Sequence, residues 1–498
     1  MKDVERNSAS DFVDLINQPR PLALIVLFLV YLNSLIFYIV SLVVEDSVLN
    51  YTEFNLDLSL VSLLIFISIV LIGSFSRSFY FSCLPLIALT VPNAVNDLFP
   101  AFWAGPSADR GVASVSIINH IDLYLLLGVF LFTESREVRR TISINYEHVL
   151  LFSVLTALFL GLVGWLITNA FTQYNSLLFF GNSFQLRYLL YVYLFSRIVT
   201  AKDVVHFNYG FLCAVGLVLL EAGAYTIIFN LPELTSGNFG TNTLGVLLGV
   251  AIIYASCING IPMWMKTLLL LLMGVGLLMT GTRSALLAFI FSTILVPFVL
   301  RFGFLRIGLI LGACAVCIVI SNWAVVSAFL DPFMLLIQTD YSFMSSQGLV
   351  GGPFSSAITR VSLWVASVDM VSDYPFGVGF SLFNFLKPDY GFSVPVFIDP
   401  HNDYLNFFVQ YGILSGVLIM YTLYVYPLQR LYARGFDGDR APIVHFMLFI
   451  LITSLTNSNL NKHQFFFIFA FLVFVSMRHR SNGCGKPQNT QQVTRFEV

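Results

Sequence analysis

The sequence predicts an all-α polytopic membrane protein, and its composition is the first observation behind this prediction. Hydrophobic residues make up 57% of the 498 positions and charged residues only 10%, whereas a soluble domain averages about 25% charged residues. The mean hydropathy is +0.84. A water-soluble fold of this length would have too few charged side chains to cover its surface. The net charge of −2 does not indicate a nucleic acid or another strongly charged partner.

The second observation is a series of long apolar segments along the chain. A transmembrane helix needs about 20 mostly apolar residues, and about fourteen segments meet this requirement, with a range of about 12 to 14 because the third and sixth are the weakest. We predict that the chain, 1–498, is a single polytopic domain. The predicted spans are 21–44, 57–76, 78–98, 114–133, 148–171, 180–200, 204–229, 241–258, 262–280, 284–300, 306–329, 403–428, 442–459 and 464–478.

The distribution of basic residues orients these spans. With both termini in the cytoplasm, nineteen of the 25 Lys and Arg residues face inward, as the positive-inside rule requires. The first apolar run, 21–44, is too long for a signal peptide and lacks a cleavage site, so it is the predicted first span. Six basic residues then face outward: Arg110, Arg187, Arg283, Arg360, Lys387 and Lys462.

Residues 330–402 form the longest predicted segment outside the membrane, and the topology places them on the outer side. Within this segment, TRVSLWVASVDMVSDYP has apolar residues at helical spacing. We therefore expect a large outer loop that contains short amphipathic helices over the bundle. The apolar positions are Val361, Leu363, Trp364, Val368 and Val371.

Arg283 is the first candidate site residue among the outward cations. It follows Thr280-Gly281-Thr282 and opens a predicted span, which Thr282 can cap. Free N–H groups and the helix dipole make a helix start a suitable anion site. The position therefore suits a phosphate group; the alternative is an interfacial arginine that reaches lipid headgroups.

Arg360 is the second candidate and lies in the predicted outer loop. It precedes Trp364 by four residues, so both share one face of a helix. The residue suits a second phosphate contact; the alternative is a cation–π pair with the indole ring or an arginine on the surface.

His401 is the candidate general base, in the stretch Asp399-Pro400-His401-Asn402-Asp403-Tyr404 where the outer loop enters the predicted twelfth span. An imidazole here can accept a proton from a sugar hydroxyl; the alternative is a hydrogen-bonded histidine at a helix start. Asn402 or Asp399 can cap the helix, and Asp399 and Asp403 are alternative bases. Asp403 can instead complement the helix dipole, and Tyr404 is a weaker candidate.

Further polar residues at the predicted outer ends are weaker candidates. Arg187 opens the sixth span, and Glu221 lies near the outer end of the seventh, either as a functional acid or as the partner of Arg187. Lys462 and His463 occupy the last outer turn, where they can contact headgroups or substrate. We expect the 50 phenylalanines and 22 tyrosines to lie mostly against lipid and at the interface.

Motifs for metals, nucleotides and dinucleotides are absent from the sequence. Cys314 and Cys317 form a CxxC within an apolar run, without a second pair or a nearby histidine, so they are expected to pack between helices. No zinc spacing, Walker loop or dinucleotide fingerprint occurs. We predict no cofactor and no metal.

Three outward stretches resemble the O-antigen ligase and O-antigen polymerase superfamily of bacterial envelopes. They are GTRSALLAF, TRVSLWVASVDMVSDYPFGVGF and PHNDYLNFFVQYGILSGVL, in that order along the chain. SGNFGTNTLGVLLG is similar to the family's preceding segment, although its usual Pro-Asn pair is Thr241-Asn242 here. The resemblance covers roughly 235–417.

The resemblance implies a GT-C-like, metal-independent glycosyltransferase of the bacterial inner membrane with a periplasmic active site. Such enzymes transfer glycan from undecaprenyl pyrophosphate to an acceptor hydroxyl. By the same resemblance, Arg283 and Arg360 hold the pyrophosphate and His401 activates the acceptor. The implied partners are the lipid-linked glycan, a glycan or lipid A–core acceptor, membrane lipids and a chain-length regulator, with no nucleic acid.

Members of this superfamily differ in their acceptor. Fourteen spans without a large appended periplasmic domain favour a polymerase of O-antigen or exopolysaccharide repeats; the alternative is a ligase that attaches polymer to lipid A–core. A flippase or another transporter of lipid-linked oligosaccharide is an alternative of a different class. Transporters usually contain inverted repeats and charged residues near the bilayer midplane, and neither is visible here.

Overall fold

The computed structural model describes part of the chain. Two predicted spans, 21–44 and 306–329, lie outside the described residues, as does the part of the predicted outer loop before 355. The described residues are 67, 69–71, 73–74, 76–90, 101–102, 115–116, 120–132, 149–160, 163, 187–199, 201–236, 239–256, 258, 262–302, 355–378, 383, 386–392, 399–433, 441–458, 460 and 467–471.

Helices dominate the described residues. Two two-residue strands are the exception, since β1 (Ala101–Phe102) pairs antiparallel with β2 (Val115–Ser116). A 3₁₀ turn spans Lys387–Tyr390, and a π-helical turn spans Tyr421–Val425. The α-helices are α1 (Arg77–Thr90), α2 (His120–Phe132), α3 (Val149–Leu160), α4 (Arg187–Ile198), α5 (Ala201–Ile228), α6 (Thr241–Ala255), α7 (Met263–Met279), α8 (Arg283–Phe302), α9 (Ser355–Asp373), α10 (Asp403–Met420), α11 (Tyr426–Ala433) and α12 (Ala441–Ser454).

Several of these helices are apolar enough to lie in a membrane. Three stretches of the described residues are also long enough to cross it: Asp203–Ile228, Arg283–Arg301 and Asp403–Gln429, the last running from α10 through the π-helical turn into α11. Five shorter apolar helices accompany them, namely α2, α3, α6, α7 and α12. The helical, multi-pass character of the chain is therefore confirmed, and the number of fourteen spans stays a prediction.

Aromatic side chains occupy the interior of the bundle more than expected. The rings of Tyr80 and Tyr124 stack 4.4 Å apart, and each hydroxyl donates to the backbone carbonyl of the other residue, at 2.6 and 3.1 Å. The rings of Phe207 and Phe471 stack 3.5 Å apart in a second buried contact. The expectation of mostly lipid-facing aromatics is wrong for these residues, because aromatic packing also joins helices whose surroundings are equally apolar.

At the predicted inner side, α1 and α5 are joined at their starts. The Arg77 guanidinium donates to both carboxylate oxygens of Asp203, with distances of 3.0 and 2.7 Å for its Nε and terminal nitrogen. It also donates to the carbonyl of Ile198. Since contacting helix ends lie at the same side of a membrane, this pair agrees with the predicted relative orientation of the two spans.

Helices α6, α8 and α12 form the part of the bundle that carries Arg283. Ser284 contacts Asn457 just after α12, whereas Ser292 contacts His445 near its start. These two contacts show that α8 and α12 run antiparallel. Helix α6 packs closely on α12 at Gly249, where a Cβ atom would lie 2.3 Å from the Phe449 ring. Small residues of this kind let membrane helices approach closely.

The predicted helix of the outer loop is confirmed as α9, which spans 19 residues. Its packed face contains Leu363, Ala366 and Met370. Val368, which the apolar pattern placed on that face, is 51% exposed. The pattern misplaced Val368 because adjacent apolar positions allow more than one face to point inward.

The end of α9 is fixed to the middle of α10. Val378 N–H donates to the carbonyl of Val409 at 2.7 Å, and Ile413 N–H donates to that of Pro375 at 2.9 Å. Gly412 interrupts α10 with φ +80°, and a Cβ there would lie 2.4 Å from the carbonyl carbon of Phe376. The outer loop is therefore anchored to the helix that follows His401.

Candidate functional site

The turn before Arg283 is held by its neighbours rather than by a side-chain cap. Gly281 has φ +63°, and a Cβ there would lie 2.7 Å from the Glu233 carboxylate oxygen. The Thr282 hydroxyl donates to the carbonyl of Thr241 at 2.9 Å. The expectation that Thr282 caps α8 through its side chain is wrong, because the hydroxyl points to the start of α6 instead.

Arg283 lies at the first position of α8 and is exposed. It forms no hydrogen bond or ion pair with another described residue. The next residue, Ser284, accepts a hydrogen bond at 3.2 Å from the side-chain amide of Asn457. The cation is therefore available at a helix start, where backbone N–H groups add to its attraction for an anion.

His401 lies directly before the start of α10, in an unusual backbone conformation. Its φ is +51°, in the left-handed region that residues other than glycine rarely adopt. Asp399 accepts the His401 N–H at 2.8 Å through a carboxylate oxygen that also lies 3.9 Å from the imidazole Nδ1. About a third of the imidazole is exposed. Asp399 thus fixes the backbone, and part of the ring stays exposed.

Asn402 is the side-chain cap of α10. Its carbonyl oxygen accepts the N–H groups of Tyr404 and Leu405 at 3.0 and 3.1 Å. Its amide nitrogen donates to the carbonyl of Leu455 at 3.0 Å. The prediction of a cap by Asn402 or Asp399 is therefore confirmed for Asn402, whereas Asp399 caps the turn before it.

Asp403 and Tyr404 use their polar atoms within the protein. Asp403 is fully buried, and its two carboxylate oxygens accept the Ser454 hydroxyl at 2.8 Å and the Leu460 N–H at 3.1 Å. The Tyr404 hydroxyl donates to the carbonyl of Leu451 at 2.6 Å. Both residues join the start of α10 to α12 and the segment that follows it, and their role as alternative site residues stays a prediction.

The segment after α12, of which residues 455–458 and 460 are described, joins the two helix starts; we call it the 455–460 turn. Leu455 and Leu460 contact Asn402 and Asp403 at the start of α10, and Asn457 contacts Ser284 at the start of α8. The residues next to Arg283 and His401 are therefore bonded to the same short turn. The structure brings these two site regions together at one end of the bundle.

Arg360 lies near the start of α9 and is partly buried. Burial lowers the pKa of its guanidinium, and it forms no hydrogen bond, ion pair or cation–π contact with another described residue. The indole N–H of Trp364, one turn later, is buried without a hydrogen-bond partner. The described contacts thus give no support to an Arg360–Trp364 cation–π pair, and they leave two donors on one face of α9.

Other predicted site residues are described only in part. Arg187 opens α4, but its side chain lies outside the described residues, as do Lys462 and His463 entirely. Glu221 is partly buried within α5 and interacts with its surroundings. Among the described residues, no three His, Cys, Asp or Glu side chains cluster in a way that could hold a metal ion.

Two buried polar residues at the predicted outer side escaped the sequence-based prediction. Asn457 is buried, and its side-chain oxygen has no hydrogen-bond partner. Lys387 was recognised only as one of the outward cations, although it is almost completely buried. The polar run Thr456-Asn457-Ser458-Asn459 between two apolar segments was the available signal for the first, and no local signal marks the second.

Several helices are apolar and long enough to span a membrane, and two of them begin at a polar cluster. These features define a multi-pass membrane protein with its candidate site at one end of the bundle. Residues 268–420 match the family model described as O-Antigen ligase. The matched range includes Arg283, Arg360 and His401 and ends before Asn457. This match confirms the resemblance to the O-antigen ligase superfamily. A comparison with curated proteins gives no match.

Proposed function

We propose that the chain is a membrane glycosyltransferase that takes a glycan from undecaprenyl pyrophosphate and transfers it to an acceptor hydroxyl on the periplasmic face, most simply as a polymerase of O-antigen or exopolysaccharide repeats. The observation that carries the proposal is the 455–460 turn, which ties the helix start beside Arg283 to the helix start beside His401. A cation and a base at adjacent helix starts match the needs of this reaction.

The diphosphate of the donor would be bound by Arg283 and Arg360. Guanidinium groups bind phosphate oxygens through two parallel hydrogen bonds, and both side chains lack an anionic partner among the described residues. Negative charge grows on the pyrophosphate as the glycosidic bond breaks, and preorganised donors stabilise that charge most where water is excluded.

The acceptor hydroxyl would lose its proton to His401 as its oxygen attacks the anomeric carbon. A positioned general base contributes about 10²–10⁴-fold to such a step. One displacement inverts the configuration at the anomeric carbon, so the product linkage should have the opposite anomeric configuration to the donor. Nuclear magnetic resonance of the product measures this, and a retained configuration would contradict a single displacement.

Ligation of finished polymer to lipid A–core is the second candidate, and the description of the matched family favours it. Both reactions use the same donor and the same leaving group. They differ in the acceptor alone, so the same three side chains serve either reaction.

A deletion strain complemented with Arg283→Ala, Arg360→Ala or His401→Ala tests the proposal. Arg301→Ala is the matched control, because Arg301 is exposed at the opposite end of the same helix as Arg283. We expect each site variant to lower product formation at least about 100-fold at parental protein levels, and the control to retain activity. Wild-type activity in all three site variants would show that the site is wrong.

The accumulated intermediate separates the candidates. Single repeats that still reach the cell surface indicate a polymerase, whereas full-length lipid-linked polymer that never reaches the core indicates a ligase. Lipid-linked units retained on the cytoplasmic leaflet would instead indicate a transporter and contradict the transferase proposal.

A further inference from the structure

Two neighbouring polar side chains of the 455–460 turn are buried without hydrogen-bond partners. Asn457 is 3% exposed and Ser458 is 8% exposed. The side-chain oxygen of Asn457 and the hydroxyl of Ser458 form no hydrogen bond within the described part of the chain. Unpaired buried polar atoms are costly and rare in folded proteins. Each therefore marks a position where a water molecule or a ligand can supply the missing hydrogen bond.

The unpaired oxygen of Asn457 lies close to the start of α8. The nitrogen of the same amide donates to the Ser284 hydroxyl oxygen at 3.2 Å. Since both amide atoms are bonded to one carbon, the oxygen is also next to the first turn of the helix, where Arg283 and backbone N–H groups can bind an anion. This helix start thus combines groups that attract an anion with a neutral acceptor that phosphate oxygens cannot satisfy, because they accept rather than donate.

A sugar diphosphate carries both kinds of group that this arrangement can bind. Its phosphate oxygens accept hydrogen bonds from a guanidinium and from backbone N–H groups. The sugar attached to them carries hydroxyl or acetamido N–H groups, which donate. These groups lie within one sugar ring of the diphosphate, and Asn457 contacts the residue that directly follows Arg283. A diphosphate without a sugar would leave the Asn457 oxygen unpaired.

We propose that Asn457 accepts a hydrogen bond from a hydroxyl or N–H group of the first sugar of the lipid-linked glycan while the diphosphate lies at the start of α8. This inference rests on the proposed function and makes Asn457 a specificity-determining residue, which favours the glycan-bearing lipid over the undecaprenyl pyrophosphate left after transfer. The oxygen is shielded from water, so the sugar must displace the groups that cover it. The hydrogen bond that the sugar restores offsets the cost of this displacement.

Competition binding to the purified full-length chain in detergent tests the inference. Undecaprenyl pyrophosphate and lipid-linked glycan extracted from the deletion strain each displace a fluorescent undecaprenyl pyrophosphate analogue. The ratio of their dissociation constants measures the preference for the glycan. Asn457→Leu should lower this preference about tenfold, because the sugar loses its acceptor, and should change the affinity for undecaprenyl pyrophosphate by less than about twofold. Asn457→Ala replaces Asn457→Leu if the apolar side chain prevents folding.

Three further variants separate sugar binding from support of the fold. Ser284→Ala removes the amide contact of Asn457 but leaves its oxygen in place, so the parental preference should remain. Ser458→Ala removes the neighbouring unpaired hydroxyl, which has no hydrogen bond to α8, and should also keep the preference. Asn457→Asp retains an acceptor, and its charge repels the diphosphate of both ligands alike. Both affinities should therefore fall while their ratio stays near the parental value.

Two outcomes overturn the inference while the proposed function stands. In the first, Asn457→Leu keeps the parental preference, as expected if a buried water molecule pairs with the oxygen. In the second, Asn457→Leu and Ser284→Ala weaken the binding of both ligands equally, which indicates that Asn457 only supports the start of α8. Parental binding of undecaprenyl pyrophosphate by Arg283→Ala would instead contradict the proposed diphosphate site, so the two failures are separable.

Discussion

At the scale of a single residue, substitutions of Asp403 can show whether its carboxylate has a structural or a catalytic role. It is fully buried and accepts hydrogen bonds from Ser454 and Leu460. Asp403→Asn keeps an acceptor for the Leu460 N–H, whereas Asp403→Ala leaves that buried donor without a partner, at a cost of about 1–3 kcal/mol. We expect Asp403→Asn to retain product formation and Asp403→Ala to lower the thermal stability of the purified chain.

Asp369→Ala is the control for this comparison, because Asp369 is exposed on α9. It should leave the melting temperature unchanged. A catalytic Asp403 would give the reverse pattern, with Asp403→Asn stable but inactive, so the two substitutions together assign the role of this residue.

Asn402 gives a second prediction at this scale, because its two polar groups have different tasks. Asn402→Asp keeps the oxygen that caps α10, but it removes the donor to the Leu455 carbonyl and sets a carboxylate against that oxygen. Asn402→Ala also loses the cap, which is worth about 1 kcal/mol. We expect the melting temperature of both variants, measured by calorimetry or fluorescence, to lie below that of the parent. Asn402→Ala should melt at the lower temperature of the two only if losing the cap costs more than the new repulsion in Asn402→Asp.

A melting temperature of Asn402→Asp equal to that of the parent would show that the bond to Leu455 contributes nothing to stability. This would remove the physical basis for treating the 455–460 turn as a link between the two helix starts.

Residue patterns in the sequence identified part of this site and missed the rest for a physical reason. The cap at Asn402 and the helix start at Arg283 depend on residues within four positions, so local spacing predicts them. Asn457 belongs to the site because its side chain contacts Ser284, which lies 173 positions away in the sequence. Lys387 was assigned to the outer side, but its burial depends on how the loop folds back. Contacts of this kind leave no periodic trace in the sequence.

At the scale of elements, the docking of α9 on α10 depends on two glycines that face each other. Gly377 and Gly412 both have positive φ, and a Cβ at either would overlap the backbone of the other segment. Gly412→Ala should therefore cost more than the roughly 1–2 kcal/mol of an unfavourable φ, because the backbone at Phe376 must also move. We expect α9 to detach, measured as faster proteolysis of the outer loop and loss of product formation.

Gly391→Ala is a matched control for that prediction. Gly391 also has positive φ, at +81°, but open space surrounds the position of its missing Cβ. It should show the cost of the backbone conformation alone. Equal effects of the two substitutions would mean that the close approach at Gly412 does not hold α9 in place.

The helical period located α9 but not its partner. TRVSLWVASVDMVSDYP predicts a helix, and the helix exists over Ser355–Asp373. The buried face is centred on Leu363, Ala366 and Met370 and leaves Val368 exposed, because the packing surface is set by the interrupted turn of α10 at Gly412. The sequence shows Gly412 as one of 33 glycines, and only the packing distinguishes it.

At the scale of the whole molecule, the contacts between helix ends form two sets that agree with the predicted topology. Arg77 bonds to Asp203 at the end predicted to face the cytoplasm. Ser284, Asn402 and Asn457 belong to the opposite end. One extra or one missing span between two contacting ends would place them on opposite sides of the membrane. The contacts therefore require an even number of crossings between them, as the predicted topology has. Which end faces outward stays a prediction from the charges.

Cysteine labelling in spheroplasts determines that orientation. Cys484 is predicted to be cytoplasmic and would add background, so the test uses a Cys484→Ser chain, in which Cys83 and Cys213 are at least partly buried. Asp369→Cys on the exposed side of α9 should react with a membrane-impermeant maleimide in intact spheroplasts. Gln429→Cys, exposed at the end of Asp403–Gln429, should react only after permeabilisation.

The opposite pattern would place Arg283 and His401 in the cytoplasm, where a nucleotide-activated donor rather than an outward-facing lipid-linked glycan would be the accessible substrate. Labelling of both positions in intact cells would mean that no crossing separates 369 from 429, although Asp403–Gln429 is long and apolar enough to cross a membrane.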